Sequence, residues 1–263
     1  MIIRLRNLFI ILFIVFIISG CGSETDRDKN FLRLRLKEDP TTLDPAHIVD
    51  VSGGALAAKI FNGLVRFTPE GDIVGDLAER WEVSPDGRTY RFCLRKNAYF
   101  TNGREVNAED AVYSLRRILS PETNSPRAIL LEGVKGGKAF SRGESTKLTG
   151  VRSAGERVVE IELEEPDSLF LNYLAMPCGS IIPAEAVEKW GRSFSDNPVG
   201  TGPFRLKTWE HNNRLVLVAN PDYYGHPAAI AGIVYRVIPE PLTAAAEFDR
   251  GTLDIMEIPG ADY

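Results

Sequence analysis

The strongest constraint on this chain lies in its first twenty residues. Leu8 to Ile18 form an uninterrupted run of eleven apolar residues, preceded by Arg4 and Arg6. Coiled as a helix, the run is about 16 Å long at about 1.5 Å per residue. A hydrocarbon core is about 30 Å thick, so the run is short for a spanning helix. Positive charge, a short apolar core and small residues, in that order, are the layout of a secretory signal. Residues 1–20 therefore read as a signal peptide, with a retained membrane anchor as the competing reading. The remainder of the chain is expected to fold outside the cytoplasm.

Ile18-Ser19-Gly20-Cys21 follows the run directly. An aliphatic residue, two small ones and a cysteine resemble the lipobox of bacterial lipoproteins. Small residues open the backbone to a peptidase, and the Cys21 thiol is the atom that would carry the diacylglyceryl group. Each buried CH₂ of such an anchor is worth about 0.8 kcal/mol, and stable attachment needs more than one chain. The expected location is the cell envelope, lipid-anchored on the periplasmic or extracytoplasmic face of a bacterial membrane. Residues 21–30 then form a polar tether, whose nine residues after Cys21 reach about 16 Å.

The rest has ordinary globular composition: 44% hydrophobic and 25% charged residues in a chain of 263. With 31 Lys+Arg against 36 Asp+Glu the formal charge is −5, which gives no electrostatic reason to expect nucleic acid. Three cysteines are too few for a disulfide scaffold. Cys93 and Cys178 read as buried free thiols, with one bridge between them as the alternative.

From Phe31 the pattern mixes two periods. Leu32, Leu34 and Leu36 alternate with basic residues as in a half-exposed strand. Ala55, Leu56, Ile60 and Phe61 fit a helical face, with Asp50 or Ser52 as cap and Gly63 as stop. Three hairpins are expected, around Pro85-Asp86-Gly87, around residues 154–157 and around Asn212-Asn213. Asn107 caps a helix carrying Ala111, Val112, Leu115, Ile118 and Leu119, with acids in its first turn and Arg116 and Arg117 near its end. Residues 133–149 read as a surface loop. A short helix runs from Pro183 to Trp190, another from Leu242 to Phe248, and Leu253 to Ile255 read as a last strand. Strands and helices in irregular order predict an α/β or α+β chain.

No catalytic pattern emerges. Gly136-Gly137-Lys138 lacks both the first glycine and the hydroxyl of a phosphate loop, and no serine stands in G-x-S-x-G. Gly200-Thr201-Gly202 reads as a tight backbone turn. His47, His211 and His226 have no H-E-x-x-H spacing, so no metal is called for, nor any other cofactor. Glu162, Glu164 and Glu165 read as solvated charges. The chain is not expected to be an enzyme.

One succession of motifs stands out. Thr42-Leu43-Asp44-Pro45, Ile60-Phe61-Asn62-Gly63-Leu64 and Asp76-Leu77-Ala78-Glu79-Arg80-Trp81 come first. Asp86 to Phe92, Leu94-Arg95-Lys96, Phe100 to Gly103 and Asn107 to Ser114 come next. Pro198 to Phe204 and Asn220-Pro221-Asp222-Tyr223-Tyr224 complete it. In this order, behind a lipobox, they resemble the oligopeptide/dipeptide (family 5) class of extracellular solute-binding proteins of ABC importers. The resemblance spans about residues 31–258. It implies an α/β, periplasmic-binding-protein-like (type II) bilobal fold, present here mostly as the first lobe with an extra subdomain. Residues 31–50 and 166–258 would make that lobe and 51–165 the inserted subdomain. The second lobe would lie beyond residue 263.

The implied function is capture of oligopeptides or a similar small solute and delivery to an ABC-type importer. Its partners would be the permease and ATPase subunits, the solute, and the membrane through the lipid. Alternatives are a sensory or scaffold lipoprotein on the same fold, or an exported hydrolase. In relatives the segment after L-D-P lines the cleft, which here is Val49-Asp50-Val51. The residue after Ser120-Pro121-Glu122-Thr123-Asn124-Ser125-Pro126 also approaches the ligand in relatives and is aromatic there. Here it is Arg127, which suits a carboxylate instead. Met176 holds a further position near the cleft.

Overall fold

Alternating apolar residues build two four-stranded sheets in the computed structural model, which describes residues 30–257. The signal peptide, Cys21 and nearly all of the tether lie outside the described residues, as do residues 258–263. In the first sheet, strand β1 (Phe31–Leu36) lies at one edge. The hairpin strands at 204–219 lie at the other, and strand Gly232–Val237 stands between. The hairpin turns at Asn212, whose φ of 58° a short amide side chain tolerates. Leu215, Leu217, Ile233 and Tyr235 face one core with Leu56, Ala57 and Ile60 of helix α1 (Val51–Ile60). Helix α1 and Phe61 thus belong to the core of the first sheet, while Ala46, Leu64 and Val65 belong to a second core.

A two-stranded pair comes next, β2 (Val65–Phe67) and β3 (Ile73–Gly75). The second large sheet has the order β4 (Ala78–Val83), β5 (Thr89–Leu94), β7 (Val158–Glu162), β6 (Val151–Ser153). Gly87, at φ 71°, supplies the backbone that the β4–β5 turn requires. Tyr90, Phe92 and Leu94 alternate inward from β5, and Val159 and Ile161 from β7. Helix α2 (Ala108–Leu119) covers β6 and β7 with Ala111, Leu115, Ile118 and Leu119. Asn107 caps it through a reciprocal box. Its side chain accepts from the Glu109 and Asp110 N–H groups at 2.9 and 3.3 Å, and Asp110 accepts from the Asn107 N–H at 2.9 Å.

Three local readings change, and one unforeseen helix appears. The 133–149 loop contains helix α3 (Gly137–Ser141), entered through Gly136 at φ 74°, with Phe140 buried and Val134 bridged to Leu163. Helix α4 (Phe170–Ala175) has no side-chain cap and is too short to show a period. Helix α1 ends at Ile60, where the Phe61 N–H closes on Ala57, and Gly63 instead pairs with Ser180. Leu253–Ile255 is not a strand: the Arg33 backbone N–H is spent on the Asp254 carboxylate at 2.6 Å, which ends the ladder. After α4 come α5 (Ala184–Trp190), β8 (Phe204–Glu210), β9 (Arg214–Ala219), β10 (Gly232–Val237) and α6 (Pro241–Asp249).

Five of the sequence motifs meet at one buried junction. Thr201, fully buried, donates to the Asn62 side-chain oxygen Oδ1 at 3.0 Å. The Asn62 amide donates to both carboxylate oxygens of Asp76, at 3.1 and 2.9 Å. The Tyr224 hydroxyl donates to the same carboxylate at 2.6 Å. Arg95 donates to the Asp76 backbone carbonyl at 2.5 Å and lies over the Tyr224 ring. Gly200 and Gly202 are needed here for close approach rather than for a turn. A Cβ on Gly200 would sit 2.1 Å from the Ile60 carbonyl oxygen, and one on Gly202 2.4 Å from that of Lys59. Their absence of side chains lets the 200–202 segment lie against the C-terminal end of α1.

Candidate functional site

The other end of α1 is where the candidate site lies, and it begins with Asp44. This buried carboxylate accepts from both terminal nitrogens of Arg117, at 2.7 and 2.6 Å. It also accepts from the Ala46 N–H at 3.2 Å. Burial pushes its pKa up, but the Arg117 hydrogen bonds and charge outweigh burial and hold it below the ordinary 3.8. The His47 ring sits between Asp44 Oδ2, at 3.2 Å, and the Thr123 carbonyl, at 2.9 Å. Ser125 donates to the Ala46 carbonyl at 2.5 Å. Residues 44–47 are thus fastened to the C-terminal end of α2 and to the loop after it.

That fastening sets Val49-Asp50-Val51 at the surface. Asp50 is the N-cap of α1: it accepts from the Gly53 N–H and from the Thr41 hydroxyl, both at 2.6 Å. Desolvation raises its pKa, and these hydrogen bonds bring it below the ordinary value. Its carboxylate is therefore engaged in holding the helix start. Val49 and Val51 flank it, 53% and 86% exposed. Arg127 reaches the same segment, donating from Nε to the Ile48 carbonyl at 3.3 Å and from Nη2 to the Val49 carbonyl at 3.4 Å. Two residues on, Ile129 is 73% exposed.

Met176 is half-buried and ends α4. It leads into the turn Pro177–Gly179, where the Pro177 ring lies beside Gly54 of α1. Cys178 in that turn is buried, which pushes its thiol pKa up, and the Arg127 charge offsets part of that. The structure thus brings Val49, Asp50, Val51 and Arg127 together and sets Met176 on the adjoining turn. Both Cys93 and Cys178 are free thiols, Cys93 half-buried rather than buried.

Sequence reading missed a groove bordered by Thr42, Asp44 and His47. It has a volume of about 810 Å³ and is lined by Asp44, His47, Tyr113, Arg117, Arg192 and Ser195, among others. The one signal for it was an aspartate set between Leu43 and Pro45, where a buried carboxylate demands a partner. Among the described residues no group of three His, Cys, Asp or Glu side chains could hold a metal ion. No described helix is long and apolar enough to cross a membrane.

The chain is 29% identical over 247 residues to the oligopeptide-binding protein OppA of Bacillus subtilis, with 92% of this chain and 45% of that protein covered. It is 31% identical over 247 residues to a dipeptide-binding protein of Lactococcus lactis subsp. cremoris, covering 90% and 45%. The structure of OppA from Burkholderia pseudomallei superposes with a TM-score of 0.80 at 31% identity, over 86% of this chain and 45% of that one. The chain therefore spans less than half the length of the relatives it matches. Its mixed α/β architecture corresponds to part of the first lobe of such binding proteins. The family of bacterial extracellular solute-binding proteins, family 5 Middle, matches residues 72–263. This chain belongs to the family 5 bacterial extracellular solute-binding proteins.

Proposed function

We propose that this chain is the N-terminal part of a solute-binding protein that captures peptides and hands them to an ABC-type permease and its ATPase. The Val49–Val51 segment forms part of the solute surface. The observation that carries this reading is the convergence of exposed Val49 and Val51, Arg127 and the Met176 turn at the N-terminal end of α1. Among the described residues the Val49 N–H meets no acceptor, so it is available to a solute carbonyl. Peptides are favoured as solute because the relatives are named for oligopeptides and dipeptides. Residues on α1 are held at both ends, by the Asp50 cap and by the 200–202 segment, so this surface is preformed.

The test is titration calorimetry of the longest chain the reading frame encodes, against a mixture of tri- to pentapeptides. Val51→Asp puts a charge on the apolar face of an exposed residue. It should weaken binding by about tenfold, with the melting temperature unchanged. Equal affinity in the variant would remove Val51 from the solute surface.

The reading extends to the membrane. Cys21 carries the lipid that retains the protein on the extracytoplasmic face. Cys21→Ser should abolish incorporation of labelled fatty acid and release the protein from the membrane fraction. Equal label in the variant would refute the anchor.

A further inference from the structure

Arg127 points to the chemistry of the solute, and this inference rests on the reading that Val49–Val51 borders it. A guanidinium offers five N–H donors in a planar fork that matches a carboxylate. Arg117 fills such a fork with Asp44 and Arg104 with Asp110 and Glu185, while Arg35 rests on the Ile238 and Pro239 carbonyls at 2.7 and 2.6 Å. Arg127 is held differently. Its two protein contacts, 3.3 and 3.4 Å to the Ile48 and Val49 carbonyls, lie beyond the usual range for N–H···O bonds. No carboxylate pairs with it among the described residues. Exposed aliphatic residues adjoin it in the chain and at its contact, Ile129 two residues on and Val49 at the carbonyl it touches, and its charge also reaches the Cys178 thiol. A half-used cation next to exposed Val49 is suited to a solute that brings both a carboxylate and apolar surface.

We propose that Arg127 is a two-position specificity residue. Without solute it rests on the Ile48 and Val49 carbonyls. A peptide carrying a carboxylate close to a backbone N–H takes the guanidinium with the carboxylate. Its N–H then takes the Val49 carbonyl on the side that Arg127 leaves. The Val49 carbonyl keeps a donor, the Ile48 carbonyl gives its own up, and the guanidinium exchanges two long neutral-acceptor contacts for one charge-assisted pair. A neutral peptide gains no such pair. A carboxylate without an N–H draws Arg127 away and leaves the Val49 carbonyl without its donor. The substrate class is therefore peptides presenting a carboxylate at this point, from a C-terminus or from an Asp or Glu side chain.

The test uses the longest chain the reading frame encodes and two tetrapeptide libraries lacking Asp and Glu, one with free C-termini and one amidated. Retained peptides are measured by mass spectrometry after gel filtration. The native protein should retain free acids about tenfold over amides, a preference that Arg127→Gln brings to parity and Arg127→Lys keeps in part. Thermal melting of both variants confirms that they are folded. Equal retention of acids and amides by the native protein would overturn the proposal. So would a tenfold preference surviving in Arg127→Gln. Retention of neither library would overturn the underlying reading of a peptide site instead.

Discussion

Two buried aspartates hold this molecule together in opposite ways. Asp44 fastens the segment before α1 to the end of α2, and its partner is a guanidinium that grips both oxygens. Asp76 fastens the motifs beyond α1 to one another, and the side chains on its carboxylate are neutral, an amide and a phenol. Burial pushes the pKa up at both. At Asp44 the paired cation wins and the value falls below 3.8. At Asp76 burial wins over Tyr224, Asn62 and the more distant Arg66 and Arg95, and the value rises. The lesson is that fully satisfied hydrogen bonding does not by itself make a buried carboxylate comfortable. A matching charge does.

The comparison breaks most readily at Asp44. Asp44→Ala leaves Arg117 largely buried without its carboxylate and should cost about 3 kcal/mol by urea unfolding. Replacing both, as Asp44→Leu with Arg117→Met, should cost about 1 kcal/mol, because no charge is left stranded. A double variant as unstable as the single one would show that the pair itself, and not the orphaned cation, matters. At the neutral joint, Thr201→Val removes the donor to a buried Asn62 oxygen, and about 2 kcal/mol should be lost in the same measurement. An unchanged midpoint would mean water replaces the hydroxyl.

Asp76→Asn is expected to have the smallest effect, about 1 kcal/mol near neutral pH, since it removes a charge that the site disfavours while keeping an acceptor. Its pH profile sharpens the contrast. Because the folded pKa of Asp76 is raised, its stabilising contribution is complete below the unfolded value and is lost as pH rises through the folded one. Asp44, with a lowered folded value, contributes above the unfolded value and loses its share as pH falls through the folded one. Between about pH 7 and pH 3 the advantage of the native protein over Asp76→Asn should grow, and that over Asp44→Asn should shrink. Parallel profiles would refute the opposite shifts.

How much of this was legible in the sequence depends on range. The Asn107 cap, the helix behind it and the three hairpins are local patterns, and each stands where the sequence placed it. The short helix α4 and the end of α1 were not readable, because tertiary contacts rather than caps or periods define them. The motifs shared with the family were legible as a set, but their work was not. Asn62, Asp76, Thr201 and Tyr224 turn out to build an internal junction away from the segment proposed to meet solute. The Asp44–Arg117 pair joins residues far apart in the chain, and only their meeting in space defines it. Arg127 was singled out by its neighbours in sequence, yet its hold on the Val49 carbonyl is a fact of the fold alone.

The strand order carries a consequence for the timing of assembly. β1 is among the first described residues to be synthesised, and its neighbour β10 comes only at Gly232–Val237. The second sheet draws all its strands from 78–162. As the chain emerges in order, the second sheet has every strand it needs while β1 still waits for its partner. Closing so long a loop is slow, and an exposed strand waiting for a distant mate is open to mispairing. The alternating arginines and lysine of residues 31–37 put charge on one face of that waiting strand, a guard against edge-to-edge association before the sheet is complete.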